Sequence, residues 1–215
     1  MPPITSTFDR TKHVYSNSEF AELLKNAVRF FTGTPVLSLP PPEPFAGAGV
    51  YALYYIGRKG LYRKFGDVIN REEYKLPIYV GKAVPSGWRQ SRLPKDETMG
   101  KMLYNRLCQH VHSIESTKNL ATTDFACRFA IFEGSSSDMI ASVESALIAK
   151  YNPLWNSIID GFGNHDPGKR RHGGKIPAWD ILHPGREWAE KMTGERPNKD
   201  LLKQRVVDYL IGVRE

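Results

Sequence analysis

Gly49-Val50-Tyr51-Ala52-Leu53-Tyr54-Tyr55-Ile56-Gly57 lies between a proline-rich stretch and a long polar one, and its reading decides the fold. The run from Val50 to Ile56 is apolar and aromatic and is closed by Gly57, which predicts a strand. Downstream, 58–76 is polar and charged and reads as an insertion, and Ile78-Tyr79-Val80 is a second short strand ending at Gly81. A loop with Pro85, Gly87 and Pro94 leads to a helix from about Thr98 to Ser116, with Met99, Leu103, Leu107, Val111 and Ile114 on one face. Phe125 to Phe132 is a third strand, and Ser135-Ser136-Ser137-Asp138 offers caps for a helix that stops before Asn152-Pro153. The order β-β-α-β-α predicts a small α/β (α+β) domain with a short central mixed sheet flanked by helices.

Upstream, 1–15 reads as a loose arm. Ser16 and Glu19 form a capping box for a helix whose stripe is Phe20, Leu23, Leu24, Ala27, Val28 and Phe31, closed by Gly33. Pro35, Pro40, Pro41, Pro42 and Pro44 exclude helix and central strand and mark a linker. Past Asn156 come a Gly-rich basic loop, 161–175, and helical pieces around 185–193 and 198–211. The expected organisation is an arm, helix and linker over 1–45, a catalytic domain over 46–157 with its insertion at 58–76, and a basic loop with helical extension over 158–215.

Ten Phe, ten Tyr and four Trp in 215 residues supply apolar surface that disordered chains lack. No apolar run approaches the roughly 20 residues a membrane-spanning helix needs. Met1-Pro2-Pro3-Ile4-Thr5-Ser6 carries no charged leader, and Cys108 and Cys127 are the only cysteines, so a reducing cytoplasm is expected. Thirty Lys and Arg against 23 Asp and Glu give a net charge of +7, which favours a polyanionic partner, nucleic acid first.

Glu144 has Ile140, Ala141, Leu147 and Ile148 one helical turn away, so it sits within the apolar stripe. Such a carboxylate needs a cationic partner, a metal ion or a raised pKa; a structural ion pair is the plain alternative. Arg106 and His110 are four apart and share a helix face. A guanidinium grips phosphate through two hydrogen bonds and an imidazole moves protons near neutral pH, although both residues also suit a solvated helix edge. Cys108-Gln109-His110-Val111-His112 does not make a zinc site, because neighbours two apart on a helix diverge and no second pair follows. His165, His172 and His183 are expected at the surface or facing DNA. Basic residues cluster as Arg58, Lys59, Arg63 and Lys64; as Lys82, Arg89, Arg92, Lys95 and Lys101; and as Lys169, Arg170, Arg171 and Lys175. Each is a solvated face or a phosphate-tracking loop, and Tyr62 and Trp88 nearby suit the second.

In series, Gly49-Val50-Tyr51, Tyr79-Val80-Gly81, Arg106, Glu144 and Asn156 resemble the GIY-YIG nuclease family over roughly 49–156. His110, one turn after Arg106, resembles the restriction-endonuclease branch. Tyr55-Ile56-Gly57 matches the second triplet literally but follows Tyr51 in the same strand, about 13 Å further along, and is a decoy. A neighbouring strand brings Tyr79 beside Tyr51, with Cα atoms about 5 Å apart.

The resemblance implies a type II restriction endonuclease of a bacterial host that cuts double-stranded DNA at a short palindrome, of the CCGCGG kind, leaving 5′-phosphate ends. It implies one Mg²⁺ per site on Glu144, Arg106 stabilising the phosphate, Tyr51 acting on water directly or through His110, and Tyr79 and Asn156 orienting phosphate and water. DNA contacts are expected from Arg58, Lys59, Arg63, Lys64, Lys82, Arg89, Arg92, Lys169, Arg170 and Arg171. A homodimer is expected, with a DNA methyltransferase as genetic partner. The rivals are a structure-specific or homing nuclease and a non-catalytic DNA-binding domain.

Overall fold

The computed structural model describes residues 7–85 and 100–213. In chain order the elements are α1 (Ser18–Gly33), β1 (Val36–Ser38), β2 (Gly49–Tyr55), β3 (Tyr79–Ala83), α2 (Met102–Glu115), β4 (Phe125–Ile131), α3 (Ile140–Tyr151), α4 (Leu154–Ser157), α5 (Ala178–Leu182), α6 (Glu187–Glu190) and α7 (Lys199–Gly212). They build an α/β domain around one sheet in the order β1-β4-β2-β3.

β2 is apolar without alternation because both of its faces are covered, and all seven of its residues are buried. On one face Tyr51, Leu53 and Tyr55 pack against Leu103, Leu107 and Val111 of α2 and against Trp155, Phe162, Trp179 and Leu202 from the C-terminal part. On the other, Val50, Ala52 and Tyr54 meet Phe31 of α1 and Ile140, Val143 and Leu147 of α3. The first core thus runs across the junction at 157 and 158.

The sheet was expected to be mixed and is antiparallel in every pairing. β3 and β4, joined through α2, do run parallel to each other, but β2 lies between them, so they never pair. Tyr51 stands opposite Gly81 and Tyr79 opposite Leu53. The two tyrosines are therefore diagonal neighbours on one face rather than directly opposed, and their ring centroids are 6.2 Å apart.

Three further local expectations change. Asn17, not Ser16, caps α1, its side-chain oxygen accepting from the backbone N–H of Glu19 at 2.8 Å and Phe20 at 3.2 Å. The proline-flanked segment contributes β1, an edge strand, where missing N–H donors are tolerated. The insertion is anchored to the core: Tyr62, Phe65 and Ile69 are buried, and the Asn70 amide donates to the carbonyls of Tyr55 and Leu76. Among the described residues, no helix is long and apolar enough to cross a membrane.

Candidate active site

Gly81 determines where Tyr51 points. A Cβ on Gly81 would lie 2.5 Å from the Tyr51 hydroxyl, so the missing side chain lets Tyr51 lean across β3, the edge strand of the sheet. There the Tyr51 hydroxyl is 2.6 Å from His110 Nε2 and accepts from Arg106 Nε at 3.4 Å. Arg106 and His110 reach it together because they lie one turn apart on α2, whose apolar face is packed on β2. Tyr79 closes the group, its ring 5.3 Å from that of His110.

Tyr51 and His110 are shut from water, at 0% and 1% exposure. Burial pushes the Tyr51 phenol well above its ordinary value; the neighbouring Tyr79 adds to this and Arg106 opposes it. Burial also holds the His110 imidazole well below its ordinary range, and Arg106, His165 and Arg186 push the same way. Both groups are therefore neutral, and in the imidazole tautomer whose Nε2 is unprotonated the Tyr51 hydroxyl donates to Nε2 while accepting from Arg106. At neutral pH this is a neutral phenol hydrogen-bonded to a neutral imidazole. Tyr79 is raised as well, by burial first, with Arg106 opposing and Glu144 adding.

Glu144 comes from α3, on the opposite face, yet its charge is felt by both Tyr51 and Tyr79 across the β3 edge. Its carboxylate accepts from Lys82 Nζ on β3, and the two side chains are only 16% and 25% exposed. Of the outcomes foreseen for a carboxylate in that stripe, the structure displays the cationic partner. Asn156, in α4, accepts from the Val80 N–H and donates to the Val80 carbonyl, both at 2.8 Å, so it pairs with the free edge of β3 as a further strand would. The two strand-borne tyrosines, Arg106, His110 and Glu144 thus meet at one sheet edge, with Asn156 fastening that edge.

The C-terminal segment contributes groups that sequence reasoning missed. Gly163 O accepts from Arg106 Nη2 at 2.7 Å, His165 Nε2 is 2.6 Å from Nη1, and Gln109 accepts from Nη1 at 3.0 Å. A Cβ on Gly163 would sit 2.3 Å from the Tyr79 hydroxyl. The Phe162 ring stacks on His110 with centroids 4.5 Å apart. Gly161 and Gly163 are the only signal in the sequence, and a basic Gly-rich loop does not distinguish a packed segment from a flexible one.

His183 is a correction: expected at the surface, it is 2% exposed, with Nε2 2.6 Å from the Tyr62 hydroxyl and Nδ1 3.0 Å from Asn119. It is buried because it follows α5 on the same side as Trp179, one turn back, and both rings pack against Trp155. His172 is 3.0 Å from Asp166. Arg58, Lys59 and Arg63 are exposed beyond the far end of β2, and Lys169, Arg170 and Arg171 are exposed in a single turn. Lys64 donates to the carbonyl of Leu210 at 2.6 Å, at the end of α7. Lys82 is engaged with Glu144. Trp88, Arg89, Arg92 and Lys95 lie outside the described residues.

Among the described residues, no cluster of three His, Cys, Asp or Glu could enclose a metal. A single carboxylate could serve a hard cation only with substrate phosphate and water completing the shell, and in this structure Lys82 places a positive charge against that carboxylate.

The model of the Eco29kI GIY-YIG domain, a restriction-endonuclease family, matches residues 43–210, which takes in the sheet edge and also the loop and helices after Asn156. No curated protein matches the chain. With Tyr51, Tyr79, Arg106, His110 and Glu144 gathered at one sheet edge and the match spanning most of its length, the chain belongs to the Eco29kI GIY-YIG family of type II restriction endonucleases.

Proposed function

We propose that this nuclease hydrolyses phosphodiester bonds of double-stranded DNA at a short palindrome, with Mg²⁺ and with 5′-phosphate products. The observation that carries the reading is the hydrogen-bonded chain from Arg106 to Tyr51 to His110, with the Glu144 carboxylate across the β3 edge. Arg106 grips the scissile phosphate and offsets the charge that builds on it. Its Nε covers the Tyr51 hydroxyl, so turning the guanidinium toward the phosphate admits the attacking water. That water loses a proton to the Tyr51 oxygen as the Tyr51 proton passes to His110 Nε2. A lone phenol is a poor base at neutral pH, and the neutral imidazole behind it makes the transfer feasible. Glu144 would hold Mg²⁺ together with phosphate and water oxygens, and the ion, when bound, offsets charge on the leaving 3′-oxygen. Tyr79 orients the phosphate from its diagonal position, and Asn156 acts through β3 by fixing Val80.

Cutting both strands of a palindrome calls for two such sites related by a two-fold axis, hence a homodimer. Phe20, Leu23 and Phe30 of α1, 46%, 55% and 63% exposed, are apolar surface available to it. CCGCGG remains the proposed target, a DNA methyltransferase the proposed genetic partner, and the cytoplasm of a bacterial host the proposed location. The basic residues Arg58, Lys59, Arg63, Lys169, Arg170 and Arg171 are proposed phosphate and groove contacts. The deciding experiment is plasmid cleavage with Mg²⁺. Discrete fragments support the reading; nicking of branched substrates only, or no cutting at all, rejects it.

A further inference from the structure

Arg186 and Asp180 form the most enclosed ion pair among the described residues, at 5% and 6% exposure. Arg186 Nε donates to Asp180 Oδ1 at 2.7 Å and Nη2 donates to Oδ2 at 2.5 Å. The remaining donors go to the backbone of one short segment. Nη2 reaches Gly161 O at 2.9 Å, and Nη1 reaches Phe162 O at 3.0 Å and Asn164 O at 3.2 Å. The guanidinium also lies 4.6 Å from the ring centroids of both Trp179 and Trp188. All five guanidinium hydrogens are used.

The segment so gripped is the one that touches the proposed cleavage site. Phe162 stacks on His110 and meets Tyr79 edge-on at 5.0 Å, and Gly163 O receives Arg106. A buried ion pair is weak evidence for stability, since well-packed apolar residues often serve as well. Gathering three carbonyls at fixed angles is different, and it needs the planar fork of an arginine. We infer that Arg186, held in place by Asp180, is a positioning residue for the cleavage site. It fixes the backbone of 161–164 so that Gly163 O sets the Arg106 guanidinium and Phe162 seals the His110 ring from water.

The inference rests on the proposed nuclease reading only where a cleavage rate is measured. Arg186→Lys keeps the charge and loses the fork; Asp180→Asn keeps the shape and loosens the grip. The first measurement needs no DNA: the titration of His110 in the free protein, followed by NMR. The groups facing His110 are Tyr51 from β2, Tyr79 from β3, Arg106 from its own helix, and His165 and Arg186 from the C-terminal segment. In Arg186→Lys these charges persist, so an upward move of the His110 titration toward the ordinary imidazole value reports water entering past Phe162. The second measurement is single-turnover cleavage with Mg²⁺, expected to slow by about 10- to 100-fold while duplex affinity in Ca²⁺ stays within a few-fold. Phe31→Leu in α1, which removes packing from the core on the other face of the sheet, should lower the melting temperature and leave both readouts in place. Wild-type titration and rate in folded Arg186→Lys and Asp180→Asn would overturn the inference, as would an equal rate loss in Phe31→Leu. Loss of fold in both variants would make the pair a folding requirement and overturn it too. If the wild type cuts no DNA, the nuclease reading fails and the titration alone still decides the role of Arg186.

Discussion

Gly81→Ala adds one methyl group at the point where Tyr51 crosses β3. The new Cβ would lie 2.5 Å from the Tyr51 hydroxyl oxygen, 2.7 Å from Tyr51 Cζ and 3.1 Å from Tyr79 Cε1. Ordinary contacts begin near about 3.5 Å, so the Tyr51 ring must retreat by about 1 Å. Its hydroxyl now sits 2.6 Å from His110 Nε2, and a retreat of that size along the line joining them would stretch the pair to about 3.6 Å, past hydrogen-bonding range. Stability should fall by about 1–3 kcal/mol, from overpacking and from a buried donor left without its acceptor. Cleavage should fall by about 10²-fold, the usual consequence of misplacing a reacting group by that distance. Single-turnover cleavage of a plasmid, compared with thermal unfolding of the same sample, separates the two effects. Gly33→Ala, with nothing within 4 Å of the added Cβ, is the control and should match wild type in both. A folded Gly81→Ala enzyme cutting at the wild-type rate would refute the reasoning, because it would show that the Tyr51–His110 contact is not needed.

Glu144→Gln should lower cleavage by about 10²-fold or more while duplex affinity in Ca²⁺ persists, since the amide keeps the shape and loses the charge; retained Mg²⁺-dependent cutting would remove Glu144 from the metal site. Tyr51→Phe should be nearly inactive, whereas Tyr55→Phe should cut normally and lose only about 1 kcal/mol of stability, because the Tyr55 hydroxyl merely donates to Lys59 O at 2.9 Å. Stability should decline as pH falls below about 6.5, the ordinary imidazole value. His110 and His183 are buried in the neutral form, so the unfolded chain takes up those protons first, and the loss continues toward about 3, to which burial, aided by Lys199 and Arg186, holds His183. Melting temperatures that stay flat from about pH 7 to pH 4 would contradict this.

The parts of the site that were legible in the sequence are those carried by regular elements. A strand buried on both faces shows as an unbroken apolar run, so β2 was readable, and strand spacing alone was enough to set Tyr55 aside in favour of Tyr79. Helical spacing put Arg106 and His110 on one face, and Glu144 among Ile140, Ala141, Leu147 and Ile148. What could not be read depends on contacts between distant positions. Gly163 meets Arg106 across 57 residues and Tyr62 meets His183 across 121, and no local pattern encodes either. The burial of Tyr62, Phe65 and Ile69 was hidden by the charged residues around them, and the three residues of β1 are too few to show a period. The antiparallel sheet follows from β2 lying between β3 and β4, which element order does not reveal.

The same distant contacts explain why a nuclease site at a sheet edge needs the chain beyond Asn156. In the proposed mechanism His110 accepts the Tyr51 proton and must be neutral to do so, whereas an imidazole at its ordinary value is partly protonated close to neutral pH. Keeping His110 neutral requires a dry wall, and α2 and β2 supply only part of one. The rest comes from Phe162, which lies against Trp155 and Trp179, so the aromatic packing of the C-terminal segment is continuous with the ring that covers His110. The segment that dries the imidazole also receives the Arg106 guanidinium through Gly163 O, so the protonation state of His110 and the placement of Arg106 are set by one piece of backbone. A change that loosens 161–164 should therefore impair both together, and truncation after Asn156 should remove activity even if the sheet were to survive.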